Sequence, residues 1–218
     1  MTDMLYSFMI RRAVPDDAPA VYSILQTAFR EYGEITGLKK LDALDETTDD
    51  IRDAIDSKAV YIALLGDDKA GIAPDTATAS APGEASHNTP AASAGPAAGS
   101  APDAKPGIAA GTAVGTLRLD IRGKEAYLSR FAVDRNHRNM GIGKALMGVA
   151  DQYLIKKGVK KVTLHTSSQY GALMRFYYSR GFFVEAIETD RGYLRARMVK
   201  EYKQKATENQ IKNMSYTS

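Results

Sequence analysis

The chain has 218 residues and a formal net charge of +3, with 44% hydrophobic and 25% charged residues. This length fits one domain with an insertion better than two domains, and the ordinary composition excludes a wholly disordered chain. The sequence contains no cysteine and three histidines, which excludes disulfides and cysteine nucleophiles and disfavours a metal site. We therefore expect no metal, and the small net charge predicts no nucleic-acid partner.

The hydropathy of the sequence predicts a cytoplasmic protein without a membrane partner. No stretch approaches the roughly 20 apolar residues that span a bilayer. Residues 1–5 also lack the basic region and following apolar run that begin a secretory signal.

The first third of the sequence predicts two strands and two helices. In chain order these are a strand over 8–14, a helix to about residue 31, a short helix over 49–55 and a strand over 59–65. Pro15 and Asp17 supply the stop and the N-cap before the first helix, and we expect Gly33 and Gly37 to end it. Thr47 precedes the second helix, whose cap residues and first-turn acids complement the helix dipole.

The composition changes between residues 71 and 110. This segment contains six of the eight prolines and no aromatic residue, leucine or valine. It can bury too little apolar surface to offset its ordering entropy, so we predict a disordered insertion at about 67–111 inside a hairpin connection. A partner-binding tether is the alternative. The remaining pattern predicts a single domain over 1–202 and a polar tail over 203–218.

The second half of the sequence predicts five strands and two helices. The strands are 112–119, 126–133, 162–166, 182–188 and 193–199, and the helices are about 141–157 and 171–180. Along the fourth strand we expect one face with Tyr127, Ser129, Phe131 and Val133 and the other with Leu128, Arg130 and Ala132. The longer helix presents a predicted buried stripe of Ile142, Leu146, Val149, Ala150 and Tyr153.

A glycine-bearing loop joins the fourth strand to the helix that follows it. Its residues are Arg138, Asn139, Met140, Gly141, Ile142, Gly143 and Lys144. Glycine lets a ligand approach the backbone, and the free N–H groups and positive dipole end of a helix attract phosphate. Arg135 and His137 add basic groups to the same turn. The loop therefore predicts a pyrophosphate site.

Two familiar phosphate-binding loops do not fit these residues. A dinucleotide fingerprint needs a small residue where Leu146 stands. A P-loop needs serine or threonine where Ala145 follows Lys144. Both are excluded as the explanation of the loop.

Two motifs together resemble the GNAT superfamily of N-acetyltransferases. The order Arg138-x-x-Gly141-x-Gly143 resembles the coenzyme-A signature of that family, Arg/Gln-x-x-Gly-x-Gly/Ala. The segment from Phe176 to Phe182 resembles the family's Phe-Tyr-x-x-x-Gly-Phe ending of the helix after the fifth strand.

The resemblance covers about residues 8–199 apart from the insertion. It implies an α/β (α+β) fold, with a mixed central sheet of about seven strands, splayed between the fourth and fifth, and about four flanking helices. It also implies an N-acetyltransferase that moves an acetyl group from acetyl-CoA to a primary amine by direct attack in a ternary complex. The alternative is a non-catalytic acyl-CoA binding module.

The resemblance assigns roles to particular residues. In the family the first tyrosine of the second motif protonates the coenzyme-A thiolate as it leaves, and Tyr177 stands at that position. A phenol suits this step because its pKa is comparable to that of a thiol, whereas a core role is the alternative. The strand backbone implied to hold the pantetheine arm is that of Phe131, Ala132 and Val133. The pyrophosphate is implied to bind the amides from Arg138 to Lys144.

The amine must lose a proton, so the site needs a base. His165 is the candidate because its ordinary pKa is close to working pH, and some family members carry a glutamate at the matching position. A structural histidine is the alternative. Glu125, at the mouth of the fourth strand, is the rival base or an exposed turn carboxylate, and water is the third candidate.

The sequence leaves the acceptor open between a small-molecule amine and a protein amine. Many relatives have an asparagine that contacts the cofactor where this chain has Tyr170. Gln169, next to Tyr170, is a candidate to make that contact instead. Acids at Asp42, Asp45 and Glu46 could attract a cationic amine or lie in a solvated loop. A homodimer is also left open.

Overall fold

The computed structural model describes residues 7–66, 111–189 and 191–203. These residues form the strands β1 (Phe8–Arg12), β2 (Ala59–Gly66), β3 (Gly111–Arg122), β4 (Glu125–Val133), β5 (Lys161–Ser167), β6 (Phe183–Glu188) and β7 (Arg195–Glu201). They also form the helices α1 (Ala18–Thr36), α2 (Thr48–Ser57), α3 (Ile142–Lys156) and α4 (Gly171–Ser179). The predicted α/β class with about seven strands and four helices is confirmed. The alanine- and proline-rich segment and the tail beyond residue 203 lie outside the described residues.

The seven strands form one mixed sheet in the order β1-β2-β3-β4-β5-β7-β6. Neighbouring strands are antiparallel except β4 and β5, which are parallel and pair only between residues 125–127 and 161–163. Beyond those three pairs both strands continue without pairing to each other. The predicted splay between the fourth and fifth strands is therefore confirmed, and it opens a slot in the sheet.

Strand β2 is buried on both faces, which explains its unbroken apolar sequence. Its odd-numbered residues, Ala59, Tyr61 and Ala63, pack in a cluster that includes buried residues of α3 and α4. Its even-numbered residues, Val60, Ile62 and Leu64, pack in a second cluster with residues of α1 and α2. The helices thus cover the sheet in two apolar layers.

Helix α1 is longer than the sequence predicts. The expectation that Gly33 contributes to ending it was wrong, because the helix continues to Thr36 and only Gly37 adopts the left-handed conformation, with φ of 70°. The Gly33 carbonyl accepts the backbone N–H groups of Gly37 and Leu38 in a C-terminal capping arrangement. A side chain at Gly33 would meet the Leu38 carbonyl at 2.9 Å, so glycine is needed here inside the helix.

The buried stripe of α3 differs in part from the prediction. Val149 and Tyr153 are only partly buried, whereas Met147 and Leu154, which the prediction omitted, are 1% exposed. The face of α3 that meets the sheet is therefore rotated toward these two residues. The predicted burial of Ile142, Leu146 and Ala150 is confirmed.

A β-bulge in β4 reverses the predicted alternation of its side chains. Ser129 pairs with Arg118 and Ala132 with Thr116, so two β4 residues lie opposite the single residue between them on β3. Arg130, one of the two, has a φ of 52°. Leu128 and Ala132 therefore belong to different apolar clusters, and the expectation that they share a face was wrong.

Candidate active site

A cavity of about 870 Å³ lies at the slot between β4 and β5. Its walls come from α1, the splayed part of β4, the loop before α3, β5, α4 and the segment before β7. Every one of the elements that the two sequence motifs occupy contributes to this wall. The cavity therefore brings together the elements that carry the predicted site residues.

The start of α3 presents backbone N–H groups without partners. The first bond inside this helix runs from the Ala145 amide to the Gly141 carbonyl, at 2.9 Å. No described group accepts a hydrogen bond from the amides of residues 139–144, whereas the Arg138 amide faces the Arg135 carbonyl at 3.5 Å. Gly141 has a φ of 82°, which a side chain would strain. Free amides at a helix start fit a phosphate group.

The first residue of the glycine-bearing loop is anchored to α1. The Arg138 guanidinium makes two hydrogen bonds to the Glu31 carboxylate, at 2.8 and 2.6 Å. These bonds hold the pKa of Glu31 below its usual value. His137 contacts Asp134 at 2.7 Å, so two of the predicted basic groups have acidic partners. The Arg138 side chain therefore positions the loop against α1 rather than offering an unpaired charge.

Gly143 allows α3 to approach β4 closely. A side-chain carbon there would lie 3.2 Å from the ring of Phe131. Phe131 also stacks on Phe176 of α4, with ring centroids 5.3 Å apart. The aromatic contact thus joins the two sequence motifs across the cavity wall.

Tyr177 lies in the core with one side on the cavity. It is 4% exposed and packs against Phe131, Phe176 and Phe182, with ring centroids 5.6–6.2 Å apart. Burial raises its pKa far above the usual value. No described residue forms a hydrogen bond with the Tyr177 hydroxyl. The phenol is therefore protonated at neutral pH and has its proton available to a ligand.

The β4 residues predicted to hold the pantetheine arm line the cavity after the last β4–β5 pair. On the side of β3, Ala132 and Val133 are paired and Phe131 belongs to the bulge. On the side of β5, none of the three residues has a partner. The Val133 carbonyl lies 3.4 Å from Arg138 Nε. The strand edge facing the slot can therefore accept an extended ligand by hydrogen bonding, as a further strand would.

His165 lies across the slot on β5, with a partner at each ring nitrogen. The Tyr127 hydroxyl is 3.0 Å from Nδ1, and a Glu188 carboxylate oxygen is 3.1 Å from Nε2. Because the carboxylate only accepts, Nε2–H donates to it, and Nδ1 of the neutral ring accepts from Tyr127. Burial, followed by the charge of Arg195, lowers the His165 pKa below 6.5 although Glu188 opposes this.

The comparisons with known proteins agree with this geometry. Residues 94–182 match the model of the Acetyltransferase (GNAT) family. Two solved structures of similar fold are PaiA N-acetyltransferase from Thermoplasma acidophilum in complex with coenzyme A, and ribosomal-protein-S18-alanine N-acetyltransferase from Escherichia coli. The first has 17% identity and a TM-score of 0.60, covering 90% of this chain and 99% of the other. The second has 16% identity and a TM-score of 0.58, covering 92% and 97%.

Residues 94–182 thus match a GNAT domain. The resemblance that the two motifs predicted is therefore confirmed, and the two solved structures show the fold. Human N-acetyltransferase 8B is 38% identical over 72 residues, which is 32% of this chain and 32% of that protein. The chain thus matches about a third of the length of this relative.

Two of the predicted alternatives lie away from the cavity. Glu125 is exposed at the opposite end of β4, paired with Lys161, and does not line the cavity. Gln169 is exposed and does not line it either. Tyr170 does line the cavity, with its ring centroid 5.8 Å from that of Tyr32. The aromatic residue itself therefore occupies that part of the wall.

Two of the three acids that could attract a cationic amine have cationic partners of their own. Asp42 forms an ion pair with Arg191. Glu46 forms ion pairs with Arg118 and Arg130 at 2.8 and 2.9 Å, and Asp45 is exposed. These contacts do not support the expectation that the loop attracts a cationic amine.

The sequence analysis missed several groups that shape the cavity. Tyr127, Glu188 and Glu31 were not assigned roles, although each contacts a predicted residue. Tyr127 and His165 lie on strands predicted to be neighbours, which is a usable signal, but their register depends on the tertiary pairing. Among the described residues no cluster of three potential metal ligands occurs, and no helix is long and apolar enough to cross a membrane.

Proposed function

We propose that the protein is an acetyl-CoA-dependent N-acetyltransferase, which transfers an acetyl group to a primary amine by direct attack in a ternary complex. The observation that carries this proposal is the continuous cavity through the β4–β5 slot. Free helix amides lie at one part of its wall, an unpaired strand edge follows, and Tyr177 and His165 lie beside that edge. Together these three features suit an acylated carrier that bears phosphate groups.

Acetyl-CoA is the proposed donor, and it supplies the activated acetyl group as a thioester. The amides of residues 139–144 would hold its pyrophosphate, with Lys144 at the cavity wall adding positive charge. The edge of β4 at Phe131, Ala132 and Val133 would hold the pantetheine arm. The fit rests on the unpartnered amides and the unpaired edge, which are the groups that a phosphate and an amide chain require.

His165 is the proposed base, acting through Tyr127. Tyr127 lines the cavity, and its hydroxyl donates to His165 Nδ1. A proton from the attacking amine can pass to the Tyr127 oxygen as the phenolic proton moves to Nδ1. The product is an imidazolium next to the Glu188 carboxylate, which stabilises its charge. The lowered pKa keeps His165 neutral before the reaction.

Tyr177 is the proposed acid. Its protonated hydroxyl, with no described partner, can donate to the sulfur on which negative charge develops as the carbon–sulfur bond breaks. Its surrounding aromatic rings exclude water from this step. The two proton transfers thus occur on separate groups, with the base on the β5 side and the acid on α4.

We also propose that residues 1–202 form one domain, with a disordered insertion at about 67–111. Gly66 at the end of β2 is paired with Gly111 at the start of β3 in the antiparallel ladder. This pairing supports a connection whose two ends lie next to each other. The sheet order requires no contribution from the intervening residues.

A thiol-release assay tests the proposed function. The full chain is incubated with acetyl-CoA and a panel of primary amines, and free thiol is measured with acetylated product. We expect amine-dependent thiol release. Tight acetyl-CoA binding without release on any amine would instead support a non-catalytic acyl-CoA binding module.

A further inference from the structure

Two arginines share one carboxylate beside the cavity. Arg118 makes hydrogen bonds of 2.8 and 3.1 Å to the two oxygens of Glu46, and Arg130 makes one of 2.9 Å to the first of them. Their side chains are 7% and 21% exposed, and that of Glu46 is 16% exposed. The three groups therefore retain one positive charge in a largely desolvated place, where an unneutralised charge is costly.

Arg130 is the member of this trio that reaches the cavity. It lines the cavity wall, whereas Arg118 and Glu46 do not. Its Nε is buried without a partner, and no described residue forms a hydrogen bond with its Nη1. Its φ of 52° lies in the left-handed region, which costs a non-glycine residue about 1 kcal/mol or more. Because the Nε is buried, Nη1 is the donor that remains for a ligand, and a strained arginine with an unused donor at a cavity is suited to hold an anion.

The surrounding wall carries the same sign of charge. Lys40, Arg191 and Arg195 also line the cavity, and the carboxylates that line it among the described residues are Asp42 and Glu31, of which Glu31 is paired with Arg138. Arg191 is paired with Asp42, and Arg195 with Glu188. The positive charge of Arg130 acts to lower the pKa of both Asp42 and Tyr127, and both of these residues also line the cavity. This field opposes a polyamine and favours a ligand with a negative group.

We infer that the acceptor is a small amine that carries a carboxylate, and that Arg130 binds this carboxylate while the amine faces Tyr127. The inference rests on the proposed function and names the class of its acceptor. A carboxylate would complete the charge balance of the Arg118–Glu46–Arg130 trio and could accept a hydrogen bond from Nη1 of Arg130.

Matched acceptors test the inference. The full chain is assayed for acetyl transfer to L-amino acids and to their α-amides, which keep the amine and lose the carboxylate. Glutamate, glutamine, isoglutamine and glutaminamide separate an α-carboxylate from a side-chain carboxylate. We expect kcat/KM to be higher for acceptors that carry a carboxylate. Equal or better use of the amides would overturn the inference and leave the proposed function intact.

Arg130→Gln tests the assigned residue. We expect the ratio of kcat/KM between amino acid and amide to fall roughly tenfold to a hundredfold, the effect of losing a charged hydrogen bond. An amino acid and its α-amide differ in the pKa of their amine. This difference is the same for the wild type and for Arg130→Gln, so it cancels when their ratios are compared. Arg122→Gln is the matched control, because Arg122 is exposed at the end of β3 and does not line the cavity. An unchanged ratio in folded Arg130→Gln would contradict the role of Arg130.

A further variant and the full amine panel distinguish a failure of the inference from misfolding and from a failure of the proposed function. Arg130→Lys retains the charge, so we expect a ratio between those of the wild type and Arg130→Gln, and the wild-type panel still tests the inference if both variants fail to fold. Thiol release with none of the amines, polyamines included, would count against the proposed function. Release with polyamines or amides alone would count against the inference only.

Discussion

The Tyr127 hydroxyl lies 3.0 Å from Nδ1 of His165, and it joins β4 to β5 at the last residue of their pairing. Beyond this contact the two strands separate and the cavity begins. The hydrogen bond therefore sits at the apex of the slot, where an acceptor amine would meet an acetyl group lying along the β4 edge. Glu188 completes a line of three groups from the cavity to β6.

The pH dependence of turnover tests His165 as the base. Its pKa lies below 6.5, so the neutral form persists to lower pH and activity should fall only below about pH 6.5. Glu188 raises this pKa, so Glu188→Gln should move the acid limb of the kcat profile to lower pH. Glu185→Gln, on the same strand, is the control and should leave the limb in place. A limb that persists unshifted in His165→Gln would exclude His165.

Removal of the Tyr177 hydroxyl tests the proposed acid. Tyr177→Phe keeps the aromatic packing with Phe131, Phe176 and Phe182, so the fold and acetyl-CoA affinity should change little. We expect kcat to fall roughly a hundredfold, the loss of one general acid. Tyr178→Phe is the matched control, because Tyr178 is the next residue and is 50% exposed. Equal turnover by the two variants would remove Tyr177 from the reaction.

Two glycine-to-alanine changes in one segment test the phosphate site. Gly141→Ala places a side chain at a φ of 82°, which costs about 1 kcal/mol or more and turns the adjacent amides. We expect the acetyl-CoA dissociation constant to rise about tenfold by calorimetry. Gly148→Ala, inside α3, has no atom within 4 Å of the added carbon and should leave affinity unchanged while raising stability by up to about 1 kcal/mol. Unaltered affinity in Gly141→Ala would refute the assignment.

The carboxylate between Arg118 and Arg130 should contribute strongly to stability. Glu46→Gln leaves two guanidinium groups without their counter-charge, so we expect a loss of about 3 kcal/mol in the free energy of unfolding. Asp45→Asn is the control, since Asp45 is exposed. Burial alone would raise the Glu46 pKa, but the two arginines hold it below its usual value of 4.5. The stabilisation is therefore present above pH 4.5, and the difference between wild type and variant should shrink as the pH falls below that value. A pH-independent difference in urea denaturation would contradict this account.

Deletion of residues 67–110 tests the domain organisation. Because Gly66 and Gly111 are paired across the β2–β3 ladder, an Asn-Gly turn can join them as a two-residue hairpin. We expect the shortened chain to keep its circular dichroism and its acetyl transfer. A second chain with residues 67–110 replaced by glycine and serine separates strain in the tight turn from loss of the natural segment. Loss of transfer in both folded chains would show that the segment takes part in function.

Much of the fold and part of the site could be predicted because their signals are local. The apolar run of β2, the threonine cap of α2 and the glycine at the end of α1 each act through neighbours in sequence. The two motifs likewise place Tyr177 and the Gly141 loop by spacing along single elements. The errors arose where tertiary packing overrode a local sequence preference. Gly33 looked like a helix end but is required by the approach of Leu38.

By itself the sequence determined the order of strands and helices, the resemblance to the GNAT family and the proposed donor site, because periodicity and glycine spacing act over a few residues. Only the tertiary structure decided which charged side chains line the cavity. The contact from Arg130 to Glu46 spans 84 positions, and that from Arg138 to Glu31 spans 107. The bulge at Arg130 and the register of β4 on β5 determine which side chains face the slot. Such pairings depend on how distant elements pack, which no local pattern encodes.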